Sequence, residues 1–168
     1  MIDLGTIGAF LKYNDWADER LLAAAEGLSD DKLDRPFDIG RGSLRRTMLH
    51  IVVTEEVWTE RWKGHAETPW PDEEERADMA TMRERLKRTW EKRDAFLATV
   101  GNDKLSRDVV YRDSLGTLYQ APLGDMMLQL CIHSTHHRAQ VVNMLRRLGN
   151  EPPELDYMYW KRRPAKGV

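Results

Sequence analysis

The chain has 168 residues, of which 41% are hydrophobic and 32% charged, with a formal net charge of −2 and a single cysteine. These values predict one domain over residues 1–168 with a buried core, and they exclude a disordered chain. The near-neutral charge does not favour nucleic acid or a membrane surface as a partner. No apolar run approaches the roughly 18 residues that a membrane span needs. The lone Cys131 excludes an internal disulfide, so we expect a cytoplasmic protein.

The first half of the chain carries two long helical patterns. Apolar residues recur at helical spacing over residues 6–26, and Gly27 is suited to ending that helix. After a connector with a proline and two glycines, Ser43 is the predicted N-cap of a second helix. This helix is predicted to run to about residue 63, just before Gly64.

The second half carries two more helices and one short β signal. Asp72 is predicted to open the third helix, with the acidic residues 73–75 in its first turn, where the helix dipole favours them. Between residues 107 and 121 the period changes, and two β-rich runs predict a small hairpin. Pro122 suits the first turn of a fourth helix that ends near Gly149. The predicted fold is therefore all-α, a four-helix bundle with a small β-hairpin before the last long helix.

The segment CIHSTHHRAQ, residues 131–140, is the part of the chain that points most clearly to chemistry. His133 and His137 are four residues apart, so their side chains lie one above the other on a helix and could bind one metal ion. His136 is an alternative ligand to His137, because residues three apart, such as His133 and His136, can also lie on one face of a helix. At 100° per residue, His137 lies about 30° and His133 about 70° from the centre of the buried stripe, whereas His136 lies about 130° away. We therefore expect His133 and His137 to face inward and His136 outward.

A third ligand would have to come from another helix. His50 is the only other histidine inside a long helical pattern, whereas His65 follows Gly64 in a predicted exposed loop. Three histidine ligands leave one coordination position open, as in catalytic metal sites, and imidazole suits zinc, nickel, copper or iron. The alternative, which spacing alone leaves open, is a set of core histidines satisfied by hydrogen bonds.

Two familiar metal sites and a cysteine nucleophile are disfavoured. Ser134 follows His133, where the helical zinc-protease motif has its glutamate base. No histidine has a glutamate three residues before it, as di-iron bundles require. Cys131 lies off the histidine face and is interpreted as a buried small residue.

Motifs on three of the helices resemble the DinB/YfiT-like family of metal-binding four-helix proteins. They occur in the family's order and cover most of the chain, with Ala139 where the family pattern usually has glycine. They are Tyr13, Asn14, Trp16, Ala17, Glu19, Arg20, Leu21 and Leu22; then Ser43, Leu44, Thr47, Met48, Leu49, His50, Glu55, Trp58, Arg61, Trp62 and Gly64; and finally His133, His137, Arg138 and Gln140.

The resemblance implies a bundle in which His50, His133 and His137 hold a divalent first-row transition metal, with zinc or nickel expected. It also implies a homodimer formed through helix faces. Some relatives are thiol-dependent transferases or isomerases, so a low-molecular-weight thiol and a small electrophile are implied as partners. The alternative is a non-catalytic metal-binding or stress-response dimerisation protein on the same fold.

Three further residues are candidates for contacts around the site. Gln140, three residues past the second histidine of the pair, is placed to orient a ligand or a bound water. Glu55 is a candidate base or hydrogen-bond acceptor, although a salt bridge to Arg61 or Lys63 is the favoured interpretation. Asn14 is a candidate for lining the cavity. The sequence identifies no catalytic residue.

Overall fold

The structure is a computed structural model that describes residues 3–71 and 76–165 of the chain. It confirms the predicted four-helix bundle with a two-stranded antiparallel hairpin before the last long helix. In chain order the elements are α1 (Leu4–Ala25), α2 (Asp30–Leu33), α3 (Leu44–Trp62), α4 (Met79–Leu97), a 3₁₀ turn (Asn102–Lys104), β1 (Asp108–Arg112), β2 (Leu118–Pro122), α5 (Leu123–Arg147) and α6 (Tyr157–Lys161).

Local chemistry sets the ends of the long helices. The side chain of Asp3 caps α1 by accepting a hydrogen bond from Thr6 N, and Ser43 caps α3 in the same way, as predicted. Beyond α3 and α5 the chain turns at Gly64 and Gly149, whose φ angles of 93° and 76° lie in the left-handed region that favours glycine.

The start of α4 differs from the prediction. Asp72 and the acidic residues 73–75 lie outside the described part of the chain, and residues 76–78 are not helical. The helix begins at Met79 because the side chain of Asp78 accepts a hydrogen bond from Thr81 N at 2.7 Å. The predicted helix is therefore confirmed from residue 79 onward, but its N-cap is Asp78 and not Asp72.

The packing of α3 on α5 forms the centre of the bundle, with α1 against α5 and α4 against both α3 and α1. Each of these helices buries an apolar stripe, and each large side chain removed from water contributes about 1.5–3 kcal/mol. One core cluster lies between the four helices, and a second lies near the hairpin, around Trp62 and Met127. Among the described residues, no helix is both long enough and apolar enough to cross a membrane.

Buried charges join the helices beside this apolar core. Arg93 of α4 is fully buried and binds both carboxylate oxygens of Asp15 on α1, at 2.7 and 2.8 Å. Its Nη1 also lies 3.5 Å from Glu55 of α3. Close to this pair, Arg138 of α5 donates hydrogen bonds to Asp18 at 3.2 Å and to Asn14 at 2.7 Å.

Glu55 therefore does not form the expected salt bridge to Arg61 or Lys63. Its side chain points into the bundle, where Trp90 Nε1 donates to Oε2 at 3.1 Å, while Oε1 is buried without a partner within the described chain. Removal from water, strengthened by the nearby Asp18 carboxylate, raises the pKa of Glu55 to about 8. Helical spacing alone could not show this, because the partners of Glu55 come from other helices.

Removing the guanidinium of Arg93 is expected to destabilise the bundle strongly. An Arg93→Met substitution leaves Asp15 without its bidentate partner and Glu55 without its nearest positive charge. Breaking one side of a buried ion pair costs about 3–5 kcal/mol. Urea unfolding followed by circular dichroism measures this loss.

The matched control is Arg88→Met on the same helix. Arg88 is exposed and pairs with Glu84, one turn away, so the substitution should change the free energy of unfolding by no more than about 0.5 kcal/mol. Equal, small losses for the two variants would show that the buried pair does not stabilise the fold.

Candidate metal centre

Three histidines from two helices meet at the interface of α3 and α5. His50 of α3 faces His133 and His137 of α5, and one ring nitrogen from each lies within 4.8 Å of the others. The Nε2 atoms of His50 and His133 are 3.1 Å apart. His50 and His137 are almost fully buried, whereas His133 is partly exposed and gives the cluster one solvent-facing side.

The local sequence explains why the three rings converge. His133 and His137 are one turn apart on α5, and their ring centroids lie 4.4 Å from each other. The His50 ring meets them from across the interface, with centroids 4.5 Å from His137 and 5.2 Å from His133. About one turn further along each helix, Val53 of α3 and Val141 of α5 are fully buried in the apolar core.

Gln140 fixes the orientation of one histidine. Its Oε1 accepts a hydrogen bond from Nδ1 of His137 at 2.7 Å, which leaves Nε2 of that ring with its lone pair. The Gln140 amide nitrogen reaches the exposed His136 at 2.9 Å. The exposed position of His136 agrees with the helical-wheel prediction, and Gln140 lies against the cluster as its spacing indicated.

Burial also favours a ligand-competent form of the cluster. Removal from water lowers the pKa of His137 below its ordinary value. The hydrogen bond with Gln140 opposes this shift, whereas the nearby rings of His50 and His136 and the charge of Arg41 add to it. A neutral imidazole has the lone pair that metal coordination requires.

Two connectors form walls around the histidines. Trp70, in the loop after α3, places its ring centroid 5.8 Å from that of His50. Gly40, before α3, lies against the side chains of Thr47 and Gln140. A Cβ atom at this position would be 2.6 Å from Thr47 Oγ1 and 3.1 Å from Gln140 Oε1. With a φ of 61°, this position requires glycine both for its conformation and for space.

The other candidate residues have hydrogen bonds or ion pairs with groups other than the three histidines. Asn14 is fully buried on α1, where it accepts a hydrogen bond from Arg138, and Glu55 belongs to the buried ion pairs described above. His65 is exposed and its Nδ1 lies 2.8 Å from Glu60. Cys131 is buried, as expected, and desolvation raises the pKa of its thiol to about 12, which disfavours the thiolate form that a nucleophile requires.

Two features of the site were missed in the sequence. Trp70 lies in a loop, where periodicity carries no information about which helix it covers. Gly40 could be read only as a connector glycine, because its close approach to Gln140 depends on tertiary packing. In contrast, Arg93 could have been found, since it falls on the same helical stripe as Leu86 and Trp90.

The donor set fits a small divalent metal ion. Zinc–nitrogen bonds of about 2.0–2.1 Å in a tetrahedron place neighbouring ligand nitrogens about 3.3 Å apart. The separation of 3.1 Å between Nε2 of His50 and Nε2 of His133 is close to that value. Three imidazole nitrogens suit zinc and the later first-row transition metals better than magnesium or calcium, which prefer oxygen ligands.

Comparisons with known proteins agree with this architecture. A DinB-like protein from Bacillus cereus ATCC 10987 has a similar solved structure, with a TM-score of 0.65 and 20% identity, covering 86% of this chain and 94% of that one. YfiT from Bacillus subtilis, described as a probable metal-dependent hydrolase with an unusual four-helix bundle topology, gives a TM-score of 0.70 at 19% identity. That match covers 90% of this chain and 92% of YfiT.

At these identities the two structures show a shared fold. No curated protein sequence matches the chain. The model of the DinB family matches residues 1–166, almost the whole length. The chain therefore belongs to the DinB family.

Proposed function

We propose that His50, His133 and His137 bind one divalent first-row transition metal, zinc or nickel. The observation that carries this proposal is the convergence of three imidazole nitrogens within 4.8 Å. Core histidines satisfied only by hydrogen bonds are the alternative. The metal is favoured because a hydrogen bond between the Nε2 atoms of His50 and His133 would join only two of the three rings, whereas a cation interacts favourably with a lone pair from each of them.

We further propose that the site supports the transfer or isomerisation of a small substrate with the help of a low-molecular-weight thiol. Three protein ligands leave an open position, and a metal there would lower the pKa of a thiol that binds it. The chain does not supply that thiol, since Cys131 is buried and has a raised pKa. The partly exposed side of His133 is where a small molecule can approach.

The residues around the histidines have separate tasks in this proposal. Gln140 holds His137 in the orientation that presents Nε2. Trp70 covers His50 and limits the access of water. Glu55 is not assigned as a base, because its side chain belongs to the pair with Arg93.

Hydrolysis is a second candidate activity, supported by the similarity to YfiT, whose description names a metal-dependent hydrolase. It would use water at the same open position. A non-catalytic metal-binding or stress-response protein is the remaining alternative. The homodimer and the cytoplasmic location that the sequence implies stay predictions, consistent with any of these roles.

Cobalt substitution tests both the metal site and its open position. The metal-free full chain loaded with Co²⁺ should show visible absorption, and 2-mercaptoethanol should add a thiolate-to-cobalt charge-transfer band. Chromatography of thiols and electrophiles with the zinc- and nickel-loaded protein then measures metal-dependent adduct formation. Cobalt binding with neither a thiol band nor adducts would contradict thiol transfer and favour the alternatives.

Loss of the hydrogen bond from His137 to Gln140 should weaken metal binding without abolishing it. We expect Gln140→Ala to lower zinc affinity by about 10–100-fold, as for other partners of ligating histidines. Gln140→Glu retains an acceptor oxygen and should retain most of the affinity. Competition with a chromophoric chelator measures both values.

The matched control is Gln129→Ala, at an exposed position on the same helix. It should leave the zinc affinity unchanged. If Gln140→Ala binds zinc as tightly as the control, Gln140 does not position a metal ligand.

A further inference from the structure

Arg61, near the end of α3, is a buried cation surrounded by aromatic rings. Its side chain is only 4% exposed. The guanidinium carbon lies 5.1 Å from the ring centroid of Trp58, 5.2 Å from that of Tyr111 and 5.9 Å from that of Trp70. Ring faces attract a cation, but they do not accept the directed hydrogen bonds of its N–H groups.

Arg61 differs from the other buried arginines of the described chain. Arg45, Arg93 and Arg138 are equally buried, and each lies in an ion pair with an aspartate. Within residues 3–71 and 76–165, no carboxylate lies within 4.0 Å of Arg61, whose Nη2 donates to the carbonyl of Arg112. Its Nε is buried without an acceptor in the same part of the chain. Among the described residues, the Arg61 guanidinium therefore lacks the carboxylate counter-ion that the other three arginines have.

The guanidinium borders a cleft of about 300 Å³ between the loop after α3 and the turn of the hairpin. This volume lies at the lower end of the range of small-molecule sites. Acidic groups nearby have other partners: Glu67 pairs with Arg112, and Asp113 accepts backbone hydrogen bonds from Leu115 and Thr117. Arg61, Glu67, Trp70, Arg112 and Asp113 are among the residues that line the cleft.

The cleft and the histidine cluster share a wall. Arg61 follows His50 by eleven residues, which at 100° per residue returns to within about 20° of the same face of α3. Trp70 lies between them, 5.8 Å from the His50 ring and 5.9 Å from the Arg61 guanidinium. A small molecule that reaches the histidines could therefore extend along Trp70 to Arg61.

We propose that this cleft is an oxyanion subsite, in which Arg61 binds the carboxylate or phosphate group of the small molecule that reacts at the histidine cluster. A planar guanidinium recognises such groups through paired hydrogen bonds, and desolvation strengthens the interaction. The role of the bound molecule as substrate rests on the proposed metal-dependent function. The binding of an oxyanion does not, since it requires only Arg61 and the cleft.

The test uses inorganic phosphate and acetate as probes, because Trp58 and Trp70 flank the guanidinium and report on it by fluorescence. The full chain is titrated at constant ionic strength, with chloride as the reference anion, both free of metal and loaded with zinc. We expect a saturable change in tryptophan emission in both forms. Arg61→Gln should weaken binding about tenfold or more, as expected for loss of a charged hydrogen-bond donor.

Two further variants keep the test decisive if Arg61→Gln does not fold. Asp113→Asn removes an opposing negative charge while retaining an acceptor for the turn, and it should tighten anion binding. Arg88→Gln, at an exposed site on α4, should leave binding unchanged. The absence of a saturable signal in the wild type, or unchanged affinities in both the Arg61 and Asp113 variants, would overturn the proposal.

Comparison of the two forms separates this proposal from that of the metal. Anion binding in the metal-free protein, with no metal uptake by the histidines, would support the subsite and reject the metal centre. Metal uptake without anion binding would support the metal centre and reject the oxyanion subsite. If turnover is found, Arg61→Gln should raise the KM of an anionic substrate more than it lowers kcat, since Arg61 holds the end of the molecule that does not react.

Discussion

The packing of α3 on α5 is the constraint on which the rest of the structure depends. It closes the apolar core, because side chains such as Leu49, Val53 and Met144 are removed from water there. The same interface places His50 opposite His133 and His137. The core therefore holds the three rings close together, and this arrangement gives the bundle a site with metal-binding chemistry.

Buried charges place the other two long helices around this pair. Arg93 of α4 reaches Asp15 on α1 and Glu55 on α3, whereas Arg138 of α5 reaches Asp18 on α1. The N–H groups of a guanidinium point in fixed directions in one plane, so each arginine pairs well with its carboxylate in only one relative position. These pairs therefore favour one arrangement of the helices over rotated alternatives. Burial raises the pKa of Glu55, although the nearby positive charges of Arg93 and Arg138 act to lower it.

Periodicity predicted the parts of the fold that depend on one helix at a time. The long helices, the hairpin and the outward position of His136 all follow from spacing within a segment. Spacing could not show the partner of Glu55, the start of α4 at Asp78 or the wall formed by Trp70. The partner of Glu55 and the position of Trp70 depend on contacts between segments that are distant in sequence. The start of α4 depends on which of several neighbouring acidic residues caps the helix.

At the histidine site, spacing within one helix predicted two of the three rings but not the third. His133 and His137 were found because their spacing places them on one face of a helix. His50 could be proposed as the third ring only because it lies in a helical pattern and matches a family motif. Within the described part of the chain Arg61 has no carboxylate partner, and the sequence could not indicate this, since the partners of a buried side chain are seen only in three dimensions.

The metal content of the purified full chain tests the central claim most directly. Tag-free protein prepared without chelator is analysed by mass spectrometry beside His50→Ala, His137→Ala and the matched exposed control His136→Ala. The account predicts close to one equivalent of a first-row metal in the wild type and the control, and its loss in the other two variants. A wild type that takes up no metal, even after incubation with zinc or nickel, would contradict it.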